Sequence, residues 1–579
     1  MLHALYADQD GFKGLVFRKG LNIILANRST LEKDAGSKDI RRTRNGAGKS
    51  SIIDIIHFLL GGKAEGALQA VELANWTFSL DVDVGDKLIS VRRKVEDSKT
   101  VQLDQKALKD QKVSNTAWIQ MLGEAWFGLK APRLPGAASF RQIFSYFARR
   151  KKDGGYDDPV RTFRTQSNAV TETNLAVLFD LDSEIVRRFH QTKNLLKQNE
   201  IAQRALRDLD KKAAIGDRRI DLEAQLSAEM AAAQLARDRL MARIESFNVL
   251  PAFRELETEL AGLNQEARDL SDRDVVDKEI ITVSETAKIA EDASEMPDLD
   301  TLFREADLVF ADTVYRRYFE VSDFHKRLIE NRQNHLNSEI AAARQRIDRR
   351  QIRREELERR RRQIVGSLRT SGPAEELLQL RDELSSREAD LRGLQVRLRE
   401  ARRLDGQAET LQAEIEETGR ALRQDRRERS ALVDQASRAF SEISERLYEK
   451  PGQLAISASE NGLRFVPSTP SDKSAGVMSM EIFCFDLTLA LLCNRRGVGP
   501  GFLIHDSHLF EPVDGRQFAR ALRIASKFCT ENDLQYVVML NSDELMRAEL
   551  EGEEDFTEFL LQPSLADTSD GGLFGFRFD

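Results

Sequence analysis

The chain has 579 residues, of which 32% are charged and 7% are aromatic, against about 25% charged residues in an ordinary globular chain. The 88 basic and 96 acidic side chains leave a formal net charge of −8, which excludes a uniformly basic nucleic-acid coat. Because 41% of the residues are hydrophobic and 30 are Phe, a disordered chain is excluded as well. This composition predicts long solvated helices together with at least one buried core.

The cysteines and the apolar runs limit the compartment. Cys484, Cys493 and Cys529 form no CxxC pair, so the sequence offers neither a disulfide framework nor a zinc hook. The first twenty residues lack the uninterrupted apolar stretch of a signal peptide. The longest apolar run, near residues 487–493, is far shorter than the ~18 residues of a membrane span. We therefore expect a cytoplasmic protein with no membrane partner.

The N-terminal 180 residues have the pattern of a mixed α/β lobe. Short apolar runs and alternating residues predict strands, and a 3.6-residue spacing predicts a helix. The predicted strands are residues 20–25, 78–84 and 88–91, and the predicted helix is residues 51–60. We place the boundary of this N-terminal lobe at residue 180.

The middle of the chain is predicted to be a coiled-coil insertion in a highly charged background. The ascending arm covers residues 181–247, and the descending arm covers residues 373–449 after the helix breakers Gly372 and Pro373. Residues 248–372 lose the rhythm around two prolines, although it resumes near residues 336–347, and we expect a distal tip there. The arms should pair as antiparallel helices about 100 Å long at 1.5 Å per residue.

Residues 450–579 return to an α/β pattern. The predicted strands are residues 454–457, 462–466, 501–505 and 536–540. The order of globular, helical and globular segments predicts a single head formed by both terminal lobes, from which the helical insertion protrudes.

A phosphate-binding loop is predicted at residues 43–50, TRNGAGKS, which follow a strand and open a helix. Its glycines would let backbone amides surround phosphate oxygens, Lys49 would contact the β- and γ-phosphates, and Ser50 would bind Mg²⁺. Thr43 replaces the usual first glycine, and a chance Gly-Lys-Ser turn is the alternative. The predicted nucleotide contacts are Asn45, Gly46, Ala47, Gly48, Lys49, Ser50 and Ser51.

A second half of this site is predicted near the C-terminus, where an apolar strand ends in Asp506, a candidate Mg²⁺ ligand. About thirty residues upstream, Ser474 and Gly476 precede a strongly apolar helix. Their hydroxyl and backbone amides would bind the γ-phosphate of a nucleotide held by a second subunit. An N-capping serine on a core helix explains these two residues equally well by themselves. The order and spacing of the motifs favour a composite site for ATP and Mg²⁺.

The motif order resembles the SMC-like branch of ABC ATPases, which includes the ATPase of the double-strand-break repair nuclease complex. More closely, five segments resemble the SMC-like ATPases of bacterial three-component ABC systems: residues 44–50 (RNGAGKS), 319–325 (FEVSDFH), 482–488 (IFCFDLT), 505–508 (HDSH) and 572–578 (GLFGFRF). The resemblance implies an α/β ABC-type ATPase head split between N- and C-terminal lobes, with a long antiparallel coiled-coil insertion. It also implies a role in antiphage defence beside a middle-component protein and an effector of the same operon.

The departures from the ABC pattern concern hydrolysis. The catalytic base is normally a Glu directly after the Asp that holds Mg²⁺, and Ser507 stands there instead. A serine hydroxyl does not take a proton from water at neutral pH, so slow or impaired ATP hydrolysis is predicted. His508, Glu511 and Asp514 are the alternative bases, and Asp514 also suits the loop that crosses a dimer of heads.

Two further positions are predicted to sense the nucleotide. Asn541 occupies the place of the switch histidine, where its amide can bond a γ-phosphate but cannot titrate. Gln142 is the candidate for sensing Mg²⁺ or the attacking water, with an ordinary surface glutamine as the alternative.

DNA contacts are predicted from the basic runs. Residues 344–362 contain ten Arg and four acidic residues, a local surplus of roughly six positive charges. Such a run is usually a solvated helix face, but the excess of Arg favours contact with a phosphate backbone. The predicted contacts with double-stranded DNA are Arg149, Arg150, Lys151, Lys152, Arg349 and Arg353.

Two functions are therefore weighed. The preferred hypothesis is an ATP-binding subunit that dimerises through its heads on ATP, binds DNA and regulates an effector, because the sequence offers no nuclease metal cluster of its own. The competing hypothesis is a nucleotide-gated scaffold with little or no hydrolysis and no DNA binding, which Ser507 favours. The long insertion disfavours the ATPase of a membrane transporter.

Overall fold

The computed structural model describes the backbone of residues 1–27, 48–105, 108–130, 134–208, 222–246, 251–292, 312–368, 372–470, 474–566 and 571–576. The chain forms two compact units. The first, called the head below, comprises Met1–Leu196 and Leu411–Asp579; the second, called the insertion, comprises Lys197–Thr410. Segments from both ends of the sequence therefore fold together in the head.

A four-stranded parallel sheet joins these two segments. Its order is β10 (Phe502–His505), β11 (Gln535–Asn541), β3 (Gly20–Asn27) and β12 (Leu565–Ala566). The predicted strands at residues 20–25, 501–505 and 536–540 are confirmed. They are continuous apolar runs because both faces of a parallel sheet are buried. Since β11 lies between β3 and β10, the segments that follow all three strands lie at one edge of the sheet.

The head also contains an antiparallel sheet and a separate hairpin. The sheet order is β2 (Leu15–Val16), β1 (Leu2–Ala7), β4 (Thr77–Val84), β5 (Lys87–Lys94), β6 (Thr100–Gln105) and β7 (Leu108–Ser114). The hairpin pairs β8 (Gln453–Ser459) with β9 (Gly462–Ser468). Strand β4 alternates between buried and less buried residues, as a sheet with one covered face requires. The strands predicted near residues 78–84, 88–91, 454–457 and 462–466 are confirmed.

The described helices, in chain order, are α1 (Lys49–Leu59), α2 (Asn115–Phe127), α3 (Phe140–Phe144), α4 (Asn168–Leu178), α5 (Ser183–Asp208), α6 (Leu222–Glu245), α7 (Pro251–Asp292), α8 (Asp312–Leu368), α9 (Gly372–Glu428), α10 (Ser430–Tyr448), α11 (Ala475–Arg495), α12 (Gly515–Glu531) and α13 (Ser542–Gly552). Among them, α11 is long and apolar enough to cross a membrane, but 78% of its most apolar window is buried inside the head. It is a core helix, and its buried face includes Phe483, Phe485 and Leu489.

Within the insertion, α6 packs against α9. Leu222 and Leu226 form one apolar cluster with Leu394, Leu398 and Ala401. Two ion pairs give the direction of the helices: Glu223 near the start of α6 meets Arg402, whereas Arg243 near its end meets Glu376. The two helices therefore run in opposite directions.

The structure differs from the sequence prediction in residues 248–372, where two long helices take the place of a tip without regular rhythm. Helix α7 packs along α8, with Leu260 against Ile364. Both lie beside α9 rather than beyond its end, because Arg268 of α7 pairs with Glu388 and Arg361 of α8 pairs with Asp382. Pro251 was read as an interruption of the helical pattern, but it is the first residue of α7, where a proline costs no hydrogen bond. The predicted domain boundaries stay predictions.

Ion pairs fix the register of α7 and α8. Acidic residues along α7 meet arginines of the basic run on α8 in reverse order, as antiparallel helices require. The pairs are Glu259 with Arg360, Glu266 with Arg353, Asp274 with Arg350 and Arg354, Asp277 with Arg346 and Arg350, and Glu285 with Arg344. Asp274 and Asp277 are buried, so their pairs are shielded from salt more than the exposed ones.

Candidate nucleotide-binding site

The described part of the predicted phosphate loop is its last turn, where the loop enters α1. Asn45, Gly46 and Ala47 lie outside the described residues, whereas Gly48 precedes α1 with φ 81°. This left-handed conformation favours glycine, and an added Cβ would lie 2.8 Å from the Cβ of Leu573. The backbone amide of Ser51 bonds the Gly48 carbonyl and closes the first turn. The C-terminal segment thus packs directly on the loop and requires glycine at position 48.

The structure brings Ser50 and Asp506 together. The hydroxyl of Ser50 donates a hydrogen bond of 2.9 Å to Asp506 Oδ2, across 456 positions of sequence. Ser50 lies at the start of α1, and Asp506 directly follows β10, so the edge of the parallel sheet holds both. A hydroxyl and a carboxylate at this spacing are oxygen donors of the kind that Mg²⁺ takes in nucleotide sites. These two residues fit the predicted metal position.

Lys49 is buried beside Asn541, whose side-chain oxygen accepts a hydrogen bond from the ammonium group. Asn541 also caps the start of α13, where its backbone amide donates to the Glu544 carboxylate at 2.8 Å. Burial lowers the pKa of Lys49, and the negative charges of Glu544 and Asp506 partly oppose that shift. The predicted switch position therefore contacts the predicted phosphate-binding lysine, and a γ-phosphate arriving at Lys49 would also reach the Asn541 amide.

Ser507 and His508 are both engaged with Asp506. Ser507 is buried, and its backbone amide donates to Asp506 Oδ1 at 2.8 Å. His508 Nδ1 lies 3.0 Å from Asp506 Oδ2. Its hydrogen bond to Asp506 raises the pKa of His508, although partial burial opposes the shift. A raised pKa leaves a smaller share of the imidazole unprotonated and able to take a proton from water, which counts against His508 as the substitute for a catalytic Glu.

The Asp506 carboxyl remains charged despite its burial. Burial by itself would raise its pKa, but the hydrogen bonds from His508 and Ser50 and the charge of Lys49 outweigh it, so the pKa of Asp506 is lowered. An ionised carboxylate is the form that binds a divalent cation.

Ser474 and Gly476 lie at the start of α11. Ser474 caps the helix by accepting from the Val477 amide at 3.3 Å, and its side chain is exposed. A Cβ at Gly476 would lie 2.7 Å from the Pro512 carbonyl, so this turn packs closely against the segment that follows Asp506. Asp514 caps α12 by accepting from Gln517 at 3.0 Å. No hydrogen bond between described residues joins Ser474, Gly476 or Asp514 to Lys49 or Ser50.

Gln142 lies in the short helix α3, where its backbone amide donates to Ser139 Oγ at 3.3 Å. Among the hydrogen bonds of the described residues, none connects its side chain with Ser50 or Asp506. Its assignment as a metal or water sensor stays a prediction.

A buried polar network links helix α11 with the end of β10, where Asp506 follows. Sequence reasoning missed this network. Arg149 and Asp486 are both completely buried, and the guanidinium bonds both carboxylate oxygens at 2.6 and 2.7 Å. His505 bonds Asp486 at 3.1 Å through Nε2 and the Tyr536 hydroxyl at 2.9 Å through Nδ1. Because Asp486 lies on α11 and His505 directly precedes Asp506, these four residues, the Arg149 network, connect α11 with the sheet edge that carries Asp506.

The same arginine organises the loop that follows it. The Arg149 guanidinium also donates to the carbonyls of Gly155, Asp158, Pro159 and Arg161. Tyr156 from this loop accepts from the Asp506 amide at 3.1 Å. Asp486, an acid with apolar residues on both sides in α11, was the sequence signal, since a buried carboxylate needs a partner.

The structure corrects the DNA assignment of Arg149, because a fully buried guanidinium bonded to a carboxylate and four carbonyls cannot reach a phosphate backbone. Its neighbours are also engaged: Arg150 pairs with Glu65 and Asp153, and Lys152 pairs with Glu65 and with Asp54 of α1. These cations neutralise Asp54 on α1 and Glu65, which follows that helix. Lys151 differs, since it is 58% exposed with Glu511 3.7 Å away.

The two residues predicted to bind DNA on α8 differ from each other. Arg353 is held between Glu266 and Glu356, at 2.8 and 3.0 Å, so its charge is largely neutralised within the insertion. Arg349 is exposed, and its contacts with described residues are both to Gln345. Most of the predicted positive surplus of residues 344–362 is thus matched by acids of α7.

Comparisons with known proteins give the following. The model of the family described as "Uncharacterised protein conserved in bacteria (DUF2326)" matches residues 443–578, from the end of α10 to the C-terminal segment. A search of curated proteins found no match. Two solved structures are similar over most of the chain, both of Smc head domains.

The first, from Pyrococcus yayanosii, is the Smc head domain with a coiled coil and joint; it is 15% identical, with 94% of this chain and 93% of that chain covered and a TM-score of 0.36. The second, from Pyrococcus furiosus, is the Smc head domain with an extended coiled coil bound to the C-terminal domain of ScpA. It is 13% identical, covers 94% of this chain and 90% of its own, and has a TM-score of 0.33. Because these TM-scores are low, the proposals below depend on the contacts of this chain.

Proposed function

We propose that this chain is an SMC-like ATP-binding subunit with an ABC-type head and an antiparallel coiled-coil insertion. The observation that carries the nucleotide assignment is the hydrogen bond between Ser50 and Asp506, with Lys49 beside them. A lysine, a hydroxyl and an ionised carboxylate converge after two parallel strands, which is the donor set that an Mg²⁺-bound nucleoside triphosphate needs. Ser50 and Asp506 would hold the metal, which supplies positive charge to the phosphates.

Two heads would close on two nucleotides. The exposed Ser474 hydroxyl and the amides at the start of α11 supply donors that do not contact Lys49 or Ser50 within one chain. Donors at a helix N-terminus favour a phosphate group, and a second subunit would present them to the nucleotide. ATP binding would thereby be required for a homodimer of heads.

The Arg149 network supports coupling between the two half-sites. A change at Asp506 on metal binding reaches α11 through His505 and Asp486 without crossing an apolar gap. Buried, fully paired groups of this kind are rigid, so the start of α11 would move together with Asp506 and the end of β10.

Slow hydrolysis is part of the proposal. Ser507 is buried against Asp506, and the raised pKa of His508 leaves less of its imidazole in the neutral form that can accept a proton. These observations also favour the second candidate, a nucleotide-gated scaffold that binds ATP and does not turn it over.

DNA binding and control of an effector are the remaining parts. Lys151 in the head and Arg349 in the insertion are the least neutralised members of the predicted DNA set. Lys152 and Arg353 are also exposed, but each shares its charge with two acids. The middle component, the effector and the antiphage role follow from the motif resemblance.

ATP binding can be tested with a fluorescent ATP analogue, with and without Mg²⁺. We expect Lys49→Ala to abolish measurable binding, and Asp506→Asn to remove the Mg²⁺ dependence. Lys19→Ala is the matched control, since Lys19 is an exposed lysine paired with Asp533. Equal affinity of the wild type and Lys49→Ala would refute the nucleotide assignment.

The dimer and DNA parts have their own tests. Light scattering after size exclusion should show a dimer with ATP that Ser474→Arg prevents, and a monomeric wild type with ATP would contradict the head dimer. Filter binding of duplex DNA at two salt concentrations separates the two candidate functions, because phosphate contacts weaken steeply with salt. If duplex DNA shows no salt-sensitive binding, the nucleotide-gated scaffold is the function that remains.

A further inference from the structure

A basic cleft lies in the head between α10 and α12, on residues that the nucleotide site does not use. Its volume is about 340 Å³, and its lining residues are Arg446, Arg520, Arg523, Ile524 and Lys527. Four of these five side chains are cationic. The volume is at the lower end of the range found for small-molecule sites.

The spacing on α12 explains the cleft. Arg520, Arg523 and Lys527 are three and four residues apart, so they lie along one face over about 10 Å. The opposite face of α12 is buried, with Phe518 and Leu522 in the core. An amphipathic helix with a strictly apolar inner face thus presents its cations together.

Arg446 completes the cleft from the other helix. It lies in the last turn of α10, and its guanidinium carbon is 4.8 Å from the centre of the Phe528 ring. Stacking on an aromatic face orients an arginine while leaving its N–H groups available. Ile524 is buried between the two helices and supplies an apolar wall.

Three of the four carboxylate partners of these cations are exposed, and Glu554 is 25% exposed. Glu442 meets Arg446, Glu449 meets Arg520, Glu531 meets Lys527, and Glu554 meets Arg523. Glu449 is 75% exposed, in contrast to Asp274 of the insertion at 4%. Exposed ion pairs contribute about 0–1 kcal/mol, so a multiply charged phosphate can replace Glu442, Glu449 and Glu531 at small cost.

We propose that this cleft binds a compact ligand with several phosphate groups, such as a tripolyphosphate chain, independently of the Lys49 loop. Arginine forks match phosphate oxygens in paired hydrogen bonds, and three converge here with a lysine. The four glutamates paired with these cations balance their charge, so the cleft has little long-range field. That disfavours duplex DNA, whose attraction depends on a net positive surface, and favours a small anion that enters the cleft.

The test uses the full chain carrying Lys49→Ala, so that the phosphate loop does not contribute, and measures tripolyphosphate binding by calorimetry. We expect binding that Arg520→Ala with Arg523→Ala weakens at least about tenfold, as loss of charged hydrogen bonds requires. Arg438→Ala is the matched control, because Arg438 is exposed on α10 and lies outside the cleft. Arg520→Lys with Arg523→Lys keeps the charge and should lose part of the affinity.

Three results would overturn the proposal. The first is that tripolyphosphate does not bind, and the second is that Arg438→Ala loses as much tripolyphosphate affinity as the paired arginine variant. The third is binding of duplex DNA, in place of tripolyphosphate, that depends on Arg520 and Arg523. The melting temperature of each variant shows whether the fold is retained. The outcome is separable from the nucleotide assignment. Lys49→Ala alone should lose ATP and keep tripolyphosphate, and Arg520→Ala with Arg523→Ala alone should keep ATP. Tripolyphosphate binding should be lost only when the paired arginine variant is combined with Lys49→Ala.

Discussion

Replacing Asp486 by alanine removes one partner of the completely buried ion pair with Arg149. The guanidinium keeps its four carbonyl partners but loses both carboxylate oxygens, and its charge remains in the core. Breaking a buried pair on one side costs about 3–5 kcal/mol, because the remaining charge has no counter-ion. His505 loses its Asp486 contact at the same time.

This free energy can be converted into a melting temperature. The head contains roughly 365 residues, and an unfolding entropy of about 2.1 cal/mol/K per residue gives about 0.77 kcal/mol/K. A loss of 3–5 kcal/mol should then lower the melting temperature of the head by about 4–7 °C, measurable by scanning calorimetry at pH 7.

A double substitution supplies the control. Arg149→Met with Asp486→Leu removes both charges, and we expect it to be less destabilising than Asp486→Ala because no unpaired charge is left. A fall of under 1 °C for Asp486→Ala, or a double variant that melts lower than both single variants, would refute the reasoning. Variants that stay folded should also bind the ATP analogue more weakly in Mg²⁺, since His505 adjoins Asp506.

Three other predictions concern the loop, the base and the insertion. Gly48→Ala should weaken ATP binding at least about tenfold. The reason is that φ 81° costs about 1–2 kcal/mol for alanine and that the added Cβ would approach Leu573. Gly85→Ala, at φ 60° with no neighbour within 4 Å, is the control that should keep ATP binding. Ser507→Glu should raise phosphate release by about 10²-fold if only the base is missing, and Ser507→Gln should not. The hydrogen bond from Arg346 lowers the pKa of Asp277 to about 2 against the opposing effect of burial, so its stabilisation is present above the unfolded pKa near 4 and is lost as pH falls towards 2. The penalty of Asp277→Asn in thermal melts followed by circular dichroism should therefore be largest at pH 7 and shrink below pH 4; a penalty independent of pH would contradict this assignment.

Local patterns predicted the parts of the site that each depend on one stretch of sequence. The apolar runs that became β3 and β10, the glycine before α1 and the acid after β10 are short-range signals, and together they placed Ser50 and Asp506 in one site. The pairing of Arg149 with Asp486 spans 337 positions, and no spacing rule connects them. Taken alone, Arg149 belonged to a basic run that predicted DNA contact, and Asp486 had no assigned role.

The basic run on α8 shows why a local charge count does not predict a nucleic-acid surface. Its arginines are adjacent in sequence, but the acids that neutralise them lie on α7, 59 positions away for the pair Arg344 and Glu285 and 101 for Arg360 and Glu259. Antiparallel helices bring distant segments side by side in reverse order, so a surplus on one helix and a deficit on the other become ion pairs between them. Whether a cation can bind phosphate depends on how exposed its carboxylate partner is: the buried Asp274 holds Arg350 and Arg354, whereas the exposed Glu449 leaves Arg520 open to exchange. By this criterion Arg520 of the head cleft is more open to a phosphate than Arg350, whose two carboxylate partners are buried.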